Sequence, residues 1–505
     1  MSDPLRHALW ERTLLPTPAG IQAGELLDRC QSALPAELCL RRAARAAAAA
    51  SGPASPGHCA LQCELGDLYA RMGDGARALL AYRAAAGVVG GEEVERDRLT
   101  FRLLLGRQLG LMGEEARAET LLREDLEARR AFYGEEHPAS ALLMRELADV
   151  LLRRGRSEEA LELADEALEL LVEGDEAGEV LPTLALRLEC AAAAGEPPFE
   201  PDELAGLDAQ VAQELALLVV ERVGEAPAAR AAALLREVGA AYEDALGRED
   251  PARVALLAGW PDQGPPQERL GPLRELIALA ERRGQRLGAA SARTALARAL
   301  EEAGQADEAE RVLADAVARA RTLRDKTTRA RALARARRAE GELLRRLGRL
   351  APARAGLEEA LTAARQADPE LIAPTLAGLG EVLAGLGEGP AARAALEEAL
   401  GLLPLAHPAA LAARAALAGL EPGAADPAAR ARAEAVELLA RQALEEAVSE
   451  GFLAAAPPTG ALRVEESGPG RWRVTSEPQP ADPDQRAALE LAGRHALLQL
   501  GLTPA

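Results

Sequence analysis

From Ala141 the chain reads ALLMRELADVLLRRGRSEEALELADEALEL, a helix, a glycine break and a second helix, and this unit returns along the sequence. Leu143, Leu147, Ala148 and Leu151 fall on one helical stripe, Gly155 breaks the helix, and Ser157 stands where it can cap the next one. Ala160, Ala164 and Ala167 form a second stripe whose small side chains let the two helices approach closely. Such a unit cannot bury its apolar face alone. Its recurrence therefore constrains the chain to a stack of helical hairpins.

The same positions recur in register. From Cys59 come Leu65, Gly66, Tyr69, Gly73, Ala78, Tyr82 and Ala85, and from Leu99 come Gly106, Leu109, Gly113, Ala118 and Leu122. From Ala290 they are Ala297, Leu300, Gly304, Ala309, Leu313 and Ala316. From Ala334 they are Gly341, Leu344, Gly348, Ala353, Leu357 and Ala360, and from Ala373 Gly380, Leu383, Gly387, Ala392, Leu396 and Ala399. A looser copy begins near Ala409 with its turn at Gly423, and a half-copy ends at Gly195. A small residue at the eighth position, an aromatic or Leu at the eleventh, a turn at the fifteenth and Ala at the twentieth and twenty-seventh resemble the tetratricopeptide repeat. The connector YGEEHPAS, Tyr133 to Ser140, resembles that of the kinesin-light-chain-like subclass, and LAHPAALAARAAL from Leu405 echoes it.

The resemblance implies an all-α fold, a right-handed α-solenoid of antiparallel hairpins, with a small C-terminal β-hairpin plus helix as an appendage. The expected organisation is N-terminal capping helices over 1–58, a first array over 59–195, degenerate helical repeats over 196–289, a second array over 290–450 and the appendage over 451–505. A Pro/Gly-rich break, REDPARVALLAGWPDQGPPQERLGP, is read as a hinge at 248–272 between two solenoid halves. In the appendage, ALRVEESGPGRWRVTSEP alternates like a hairpin around Gly468-Pro469-Gly470. A helix follows, with Asp482 as N-cap, Pro483 at its first position and Gly501 as its stop.

Composition supports this reading. Aromatic residues are 2% of the 505-residue chain while 49% is hydrophobic, mostly the helix-forming Ala and Leu. A single lysine, Lys326, and no asparagine point to the mutational bias of a GC-rich bacterial genome. The N-terminus lacks the basic start and apolar core of a secretory signal. No apolar run reaches the ~18–20 residues of a membrane span. Five cysteines, all within the first 190 residues, fit free thiols in a reducing compartment. The expectation is a cytoplasmic protein with no membrane partner.

No enzyme signature is present. GxxxxGK[ST] and GxSxG are absent. His137 and His407 precede prolines in connectors, where the repeat family uses them structurally, and His7 and His495 read as isolated. His58, Cys59 and Cys63, with Cys30 and Cys39, form the one metal-like cluster, but the spacing is not that of a standard zinc site and Cys suits the small positions of a hairpin. No cofactor or metal is expected. Acid pairs such as Glu158-Glu159 and Glu358-Glu359 open second helices, where they favour the positive end of the helix dipole.

One stretch runs against the net charge of -21. Between Arg319 and Arg354 stand 13 basic residues against Asp325, Glu340 and Glu342. Three readings compete. Nucleic acid is disfavoured by the overall negative charge and by the lack of interleaved aromatics. The arginines are either solvated and paired with neighbouring glutamates, or they line a docking groove for an acidic peptide. The resemblance implies that first helices line a concave groove through their second, fifth, ninth and twelfth positions. That selects Arg335, Arg338 and Arg345, with Arg298 from the preceding repeat, and Arg107 and Arg145 in the mixed-sign N-terminal groove. Arg337 and Glu340, at positions the motif gives to packing residues, are spaced to pair with each other. The Lys and Asn of a chaperone-binding carboxylate clamp are missing from these positions.

The functional expectation is a non-catalytic scaffold or adaptor binding a protein or peptide partner with an acidic segment, and not nucleic acid. The alternative is a sensory or regulatory module whose conformation responds to a peptide or small ligand. Oligomeric state is left open by the sequence.

Overall fold

The computed structural model describes residues 30, 32–88, 92–135, 137–174, 177–199, 207–226, 228–259, 265–420, 426–450, 453, 462–468, 471–476 and 483–504. His7, Gly423, Pro469, Gly470 and Asp482 lie outside them. The chain divides into two compact units, Met1–Ala194 with Ala433–Ala505, and Gly195–Arg432.

In the first unit, α1 (Leu34–Ser51) precedes three antiparallel hairpins. They are α2 (Pro56–Arg71) with α3 (Gly75–Ala85), α4 (Glu92–Leu111) with α5 (Glu115–Tyr133), and α6 (Ala141–Arg153) with α7 (Ser157–Glu173). The helix α8 (Ala177–Ala194) packs on α7. The three hairpin turns need a backbone that only glycine adopts without strain: Gly73, Gly113 and Gly155 have φ of 75°, 75° and 77°. Past each glycine, the next N–H reaches back to close the helix end, Asp74 to the Tyr69 carbonyl, Glu114 to Leu109 and Arg156 to Leu151.

The eighth-position glycines have a different cause. A Cβ on Gly66 would stand 2.5 Å from the Tyr82 ring, and one on Gly106 2.5 Å from Leu122 Cδ2. Gly341 meets Leu357 and Gly380 meets Leu396 in the same way, at 2.7 and 2.5 Å. Each partner lies sixteen residues on, in the second helix, so the missing side chain of the first helix is filled by a large one from the second. Where the eighth position is Ala148, the partner position is the small Ala164, and both are fully buried. One volume is thus divided differently in different repeats, as a close-packed interior demands.

The C-terminal part of the first unit carries β1 (Leu462–Gly468) and β2 (Arg471–Ser476), antiparallel with Val464 opposite Val474. The helix α21 (Pro483–Gln499) follows, and β3 (Thr503–Pro504) adds to β2 in parallel. Gly493 of α21 sits where a Cβ would be 2.5 Å from Val474 Cγ1, which sets how closely helix and hairpin meet. Gly501, at φ 67°, ends the helix as expected.

The second unit begins with α9 (Ala209–Glu225), α10 (Ala228–Leu246) and α11 (Pro251–Ala258). Tyr242 of α10 is fully buried, donates to the Ala212 carbonyl at 3.0 Å and meets Phe199 edge-on. The stretch 248–272 falls inside this unit, its described residues including α11 and the first turns of α12 (Pro266–Arg282). α12 packs on α13 (Arg286–Glu302), which packs in turn on α14 (Ala306–Arg321). The hairpins α15 (Lys326–Arg346) with α16 (Leu350–Ala367) and α17 (Ile372–Gly385) with α18 (Gly389–Leu402) follow, then α19 (Pro408–Gly419). Gly284, Gly304, Gly348 and Gly387 turn these hairpins with φ between 67° and 79°. The helix α20 (Pro427–Ser449) opens on Asp426, whose carboxylate accepts from the Ala429 N–H, and from Ala433 on it belongs to the first unit. The fold is an all-α solenoid of antiparallel hairpins, with a small β appendage.

Candidate functional site

The arginine-rich stretch occupies the end of α14, all of α15 and the start of α16, and carboxylates from adjacent helices neutralise much of it. Arg346 grips both oxygens of Glu301 at 2.6 and 2.7 Å, and Arg349 both oxygens of Glu310. Arg321 holds Glu359 at 2.8 and 3.1 Å, and Arg354 reaches Glu388 at 2.7 Å. Arg337 pairs with Glu340, as its spacing predicts, and also with Glu359 at 2.7 Å. The partners are mostly one repeat away in sequence. Of the acid pairs expected to open second helices, Glu158-Glu159 lies in the first turn of α7, where Glu159 also receives Arg123. Glu358-Glu359 instead lies in the middle of α16, away from the helix dipole's positive end, and Glu359 receives Arg321 and Arg337.

The six candidate groove arginines separate by their partners. Arg298 and Arg338 line one recess of about 340 Å³ between α13 and α15, together with Glu301, Glu342 and Arg346. Each has a carboxylate of its own helix four residues on: Glu302 at 3.9 Å from Arg298, and Glu342 at 2.7 Å from Arg338. Arg335 instead donates to Ser291 Oγ at 3.2 Å and lies 3.3 Å from Asp368, and Arg345 crosses to Glu381 of α17 at 2.9 Å. Arg338 and Arg345 each keep a buried Nε–H without an acceptor.

In the first unit, Arg107 lines a smaller recess with Asp67 and Tyr82, whose hydroxyl donates to Asp67 at 2.6 Å. Arg107 lies 3.8 Å from Glu146. Arg145 is buried and bonds Glu179 of α8 at 2.7 Å, a helix-to-helix tie.

The histidines resolve into two kinds. His137 and His407 play the same part in their connectors, each ring Nδ1 accepting the N–H two residues on, at 3.0 and 3.1 Å. His495 is not isolated, which corrects the sequence expectation. Its Nε2 lies 2.5 Å from Glu37 Oε2. Around Glu37 gather Arg41 at 2.7 Å, the Tyr69 hydroxyl at 2.8 Å and Arg77 at 3.4 Å, while Arg494 holds both oxygens of Asp74 at 2.5 and 2.8 Å. Burial raises the Glu37 carboxyl, but the His495 hydrogen bond and charge, then Arg41 and Tyr69, outweigh it and bring the pKa down to about 2. Sequence reasoning missed this cluster because, beyond the local Glu37–Arg41 and Asp74–Arg77 pairs, its members come from α1, α2, α3 and α21 with no common period.

Cys59 Sγ lies 3.7 Å from the carbonyl oxygens of Pro53 and Ala84, and Cys63 is buried in the same core. Among the described residues, no group of three or more His, Cys, Asp or Glu has the geometry to hold a metal ion. None of their helices is long and apolar enough to cross a membrane.

Residues 97–171 match the family model of the tetratricopeptide repeat. A comparison with curated proteins finds no match. Among solved structures, the chain is similar to a tetratricopeptide repeat protein from Parabacteroides merdae, at 14% identity over 62% of this chain and 97% of that one, with a TM-score of 0.25. It is also similar to the nearly identical TPR-like repeats of a kinesin light chain from Podosopora anserina, at 25% identity over 45% of this chain and 97% of that one, TM-score 0.22. A third is the APC/C hetero-tetramer Cut9-Hcn1, at 14% identity over 81% and 92% of the two chains, TM-score 0.25.

Proposed function

Since the chain is a tetratricopeptide-repeat protein, a fold that suggests a protein-interaction scaffold, we propose that it is non-catalytic and holds an acidic segment of a partner protein along the first helices of its second unit. One observation carries this reading: Arg298 and Arg338 share a recess, and each has an ion pair to its own helix four residues on. The Arg298–Glu302 pair is exposed and the Arg338–Glu342 pair partly so, and solvent-accessible intrahelical pairs contribute only about 0.3–0.5 kcal/mol. A partner carboxylate can therefore replace Glu302 or Glu342 at small cost, and a guanidinium fork can take it bidentately. Arg335 and Arg345, held by Asp368 and Glu381, flank the recess in sequence.

The test is partner recovery by the immobilised full chain from the lysate of its source cells, with identification by mass spectrometry. The Arg298→Glu/Arg338→Glu variant, checked for an unchanged unfolding midpoint, is expected to lose about tenfold in recovery of the specific partner, the equivalent of one strong charge-assisted contact. Equal recovery by the variant overturns the groove, and recovery of nothing by the parent chain overturns the scaffold.

A further inference from the structure

A recess of about 440 Å³ opens among α1, α2 and α3 of the first unit. It lies on the side of α2 away from the expected groove positions. At 3.6 residues per turn, His58, Gln62, Leu65 and Tyr69 form one stripe, while Ala60, Cys63, Asp67 and Ala70 form the opposite one. We propose that this recess binds a small organic anion, a carboxylate or phosphate head carried on a short apolar body.

Charge is the first reason. Arg41, Arg45 and Arg77 line the recess and no acidic side chain does. Arg41 and Arg77 are paired behind the lining with Glu37, and Arg45 adds a third guanidinium, in a chain of net charge -21. Glu37 Oε1 alone serves Arg41, Arg77 and the Tyr69 hydroxyl. Burial, with the charges of Arg494 and Arg41, pushes the Arg77 guanidinium below its ordinary value against the pull of Glu37.

Preorganisation is the second reason. Arg41 donates through Nε and Nη2 to Tyr69 Oη at 3.2 and 3.1 Å, and the Arg77 guanidinium sits 5.8 Å from the centre of the Tyr69 ring. His58 is fixed by the Ala44 carbonyl, 2.9 Å from Nδ1, and its Nε2 lies 3.3 Å from Gln62. These groups do not have to be ordered when a ligand arrives, which lowers the entropic penalty of binding. Arg45 is the exception: among the described residues it makes no hydrogen bond or ion pair, so its fork of donors is open to an incoming anion.

The apolar walls select the body of the ligand. Leu65, Ala44 and Ala81 form the inner surface, and Leu80, 62% exposed, stands at the rim. A bare inorganic anion would leave Leu80 in water, whereas a short alkyl chain would cover it. A few convergent polar groups on an apolar lining, in a volume of this size, are the usual make-up of a small-molecule site.

Isothermal titration of the full chain with octanoate, inorganic phosphate and octanol tests the proposal. Octanoate is expected to bind saturably, phosphate more weakly and octanol not at all, with octanoate affinity falling as salt is raised. The exposed Arg45→Gln variant should bind octanoate about tenfold more weakly, while Arg117→Gln, on α5, should match the parent chain. Leu80→Ser should weaken octanoate and leave phosphate unchanged. Binding of phosphate without octanoate would overturn the organic-anion assignment in favour of a plain anion site. Binding of neither, equal binding by Arg45→Gln, or octanol binding as well as octanoate would overturn it outright. None of these residues belongs to the Arg298–Arg338 recess, so this proposal and the scaffold fail separately.

Discussion

His495 Nε2 lies 2.5 Å from Glu37 Oε2, a contact between residues 458 positions apart in the first unit. Both side chains are almost completely buried. With Arg494 on Asp74 one residue earlier, it ties α21 to α1 and to the start of α3, where Asp74 also caps the helix by accepting from the Arg77 N–H. The C-terminal helix is thus docked on the N-terminal helices through buried charges.

Because the Glu37 carboxyl titrates near 2 in the fold and near 4.5 when free, its contribution has a defined pH window. A depressed carboxyl stabilises fully above its unfolded value and loses that contribution as pH falls through the folded one. A difference of this size corresponds to about 3 kcal/mol. Urea unfolding of the parent chain should therefore weaken between pH 4.5 and 2, and Glu37→Gln should be less stable by about that amount at pH 7 and flatter across the window. A variant as stable as the parent at pH 7 would show that the cluster contributes nothing.

The Glu64 carboxyl should behave with the opposite sign. Burial first, and the Asp67 charge second, push it up to about 7. The folded state then binds more protons than the unfolded one between pH 4.5 and 7, so stability falls as pH rises through that range. Glu64→Gln should be more stable than the parent at pH 8, by up to about 3 kcal/mol, and indistinguishable from it near pH 4. Denaturation midpoints at the two pH values decide this.

Gly106 and Leu122 divide one volume, and their substitutions should couple. Gly106→Ala drives a methyl into Leu122 and should cost about 1–3 kcal/mol by overpacking. Leu122→Ala leaves a cavity and should cost about 2–5 kcal/mol. The double variant reproduces the Ala148 and Ala164 arrangement already present one repeat on, and should be clearly less destabilised than the sum of the two. Additive losses in chemical denaturation would mean that the two positions do not share space.

Arg145 and Arg349 are both paired arginines, but burial separates them. Arg145 and Glu179 are about 10% exposed at 2.7 Å, so Arg145→Ala strands a buried carboxylate and should cost about 3–5 kcal/mol. Arg349, half-exposed opposite Glu310, should cost under about 1 kcal/mol when replaced by Ala. Similar losses at both sites, read from unfolding midpoints, would contradict this ranking.

Much of the architecture was legible because it is local and periodic. A glycine at the fifteenth position must take positive φ, and a glycine at the eighth must face a large residue sixteen positions on; both demands lie within one hairpin. The connector histidines were readable for the same reason, since His137 and His407 bond only two residues ahead. The arginine stretch was legible as charge but not as function. Whether Arg335, Arg338 and Arg345 face the same neighbours depends on helix phase across a whole repeat, and the fold sends them to Asp368, Glu342 and Glu381.

The sequence by itself determined that this chain stacks helical hairpins, because each repeat carries its own turn, its own close contact and an apolar face that only a neighbour can cover. Tertiary structure alone decided which charges of different helices meet. The docking of α21 on α1 joins Glu37 to His495 across 458 positions without a period to betray it, and the Arg41–Arg45–Arg77 recess exists only once three helices are packed. A repeat writes its nearest-neighbour contacts into its spacing, whereas a contact between elements with no shared period is settled by packing and charge in three dimensions.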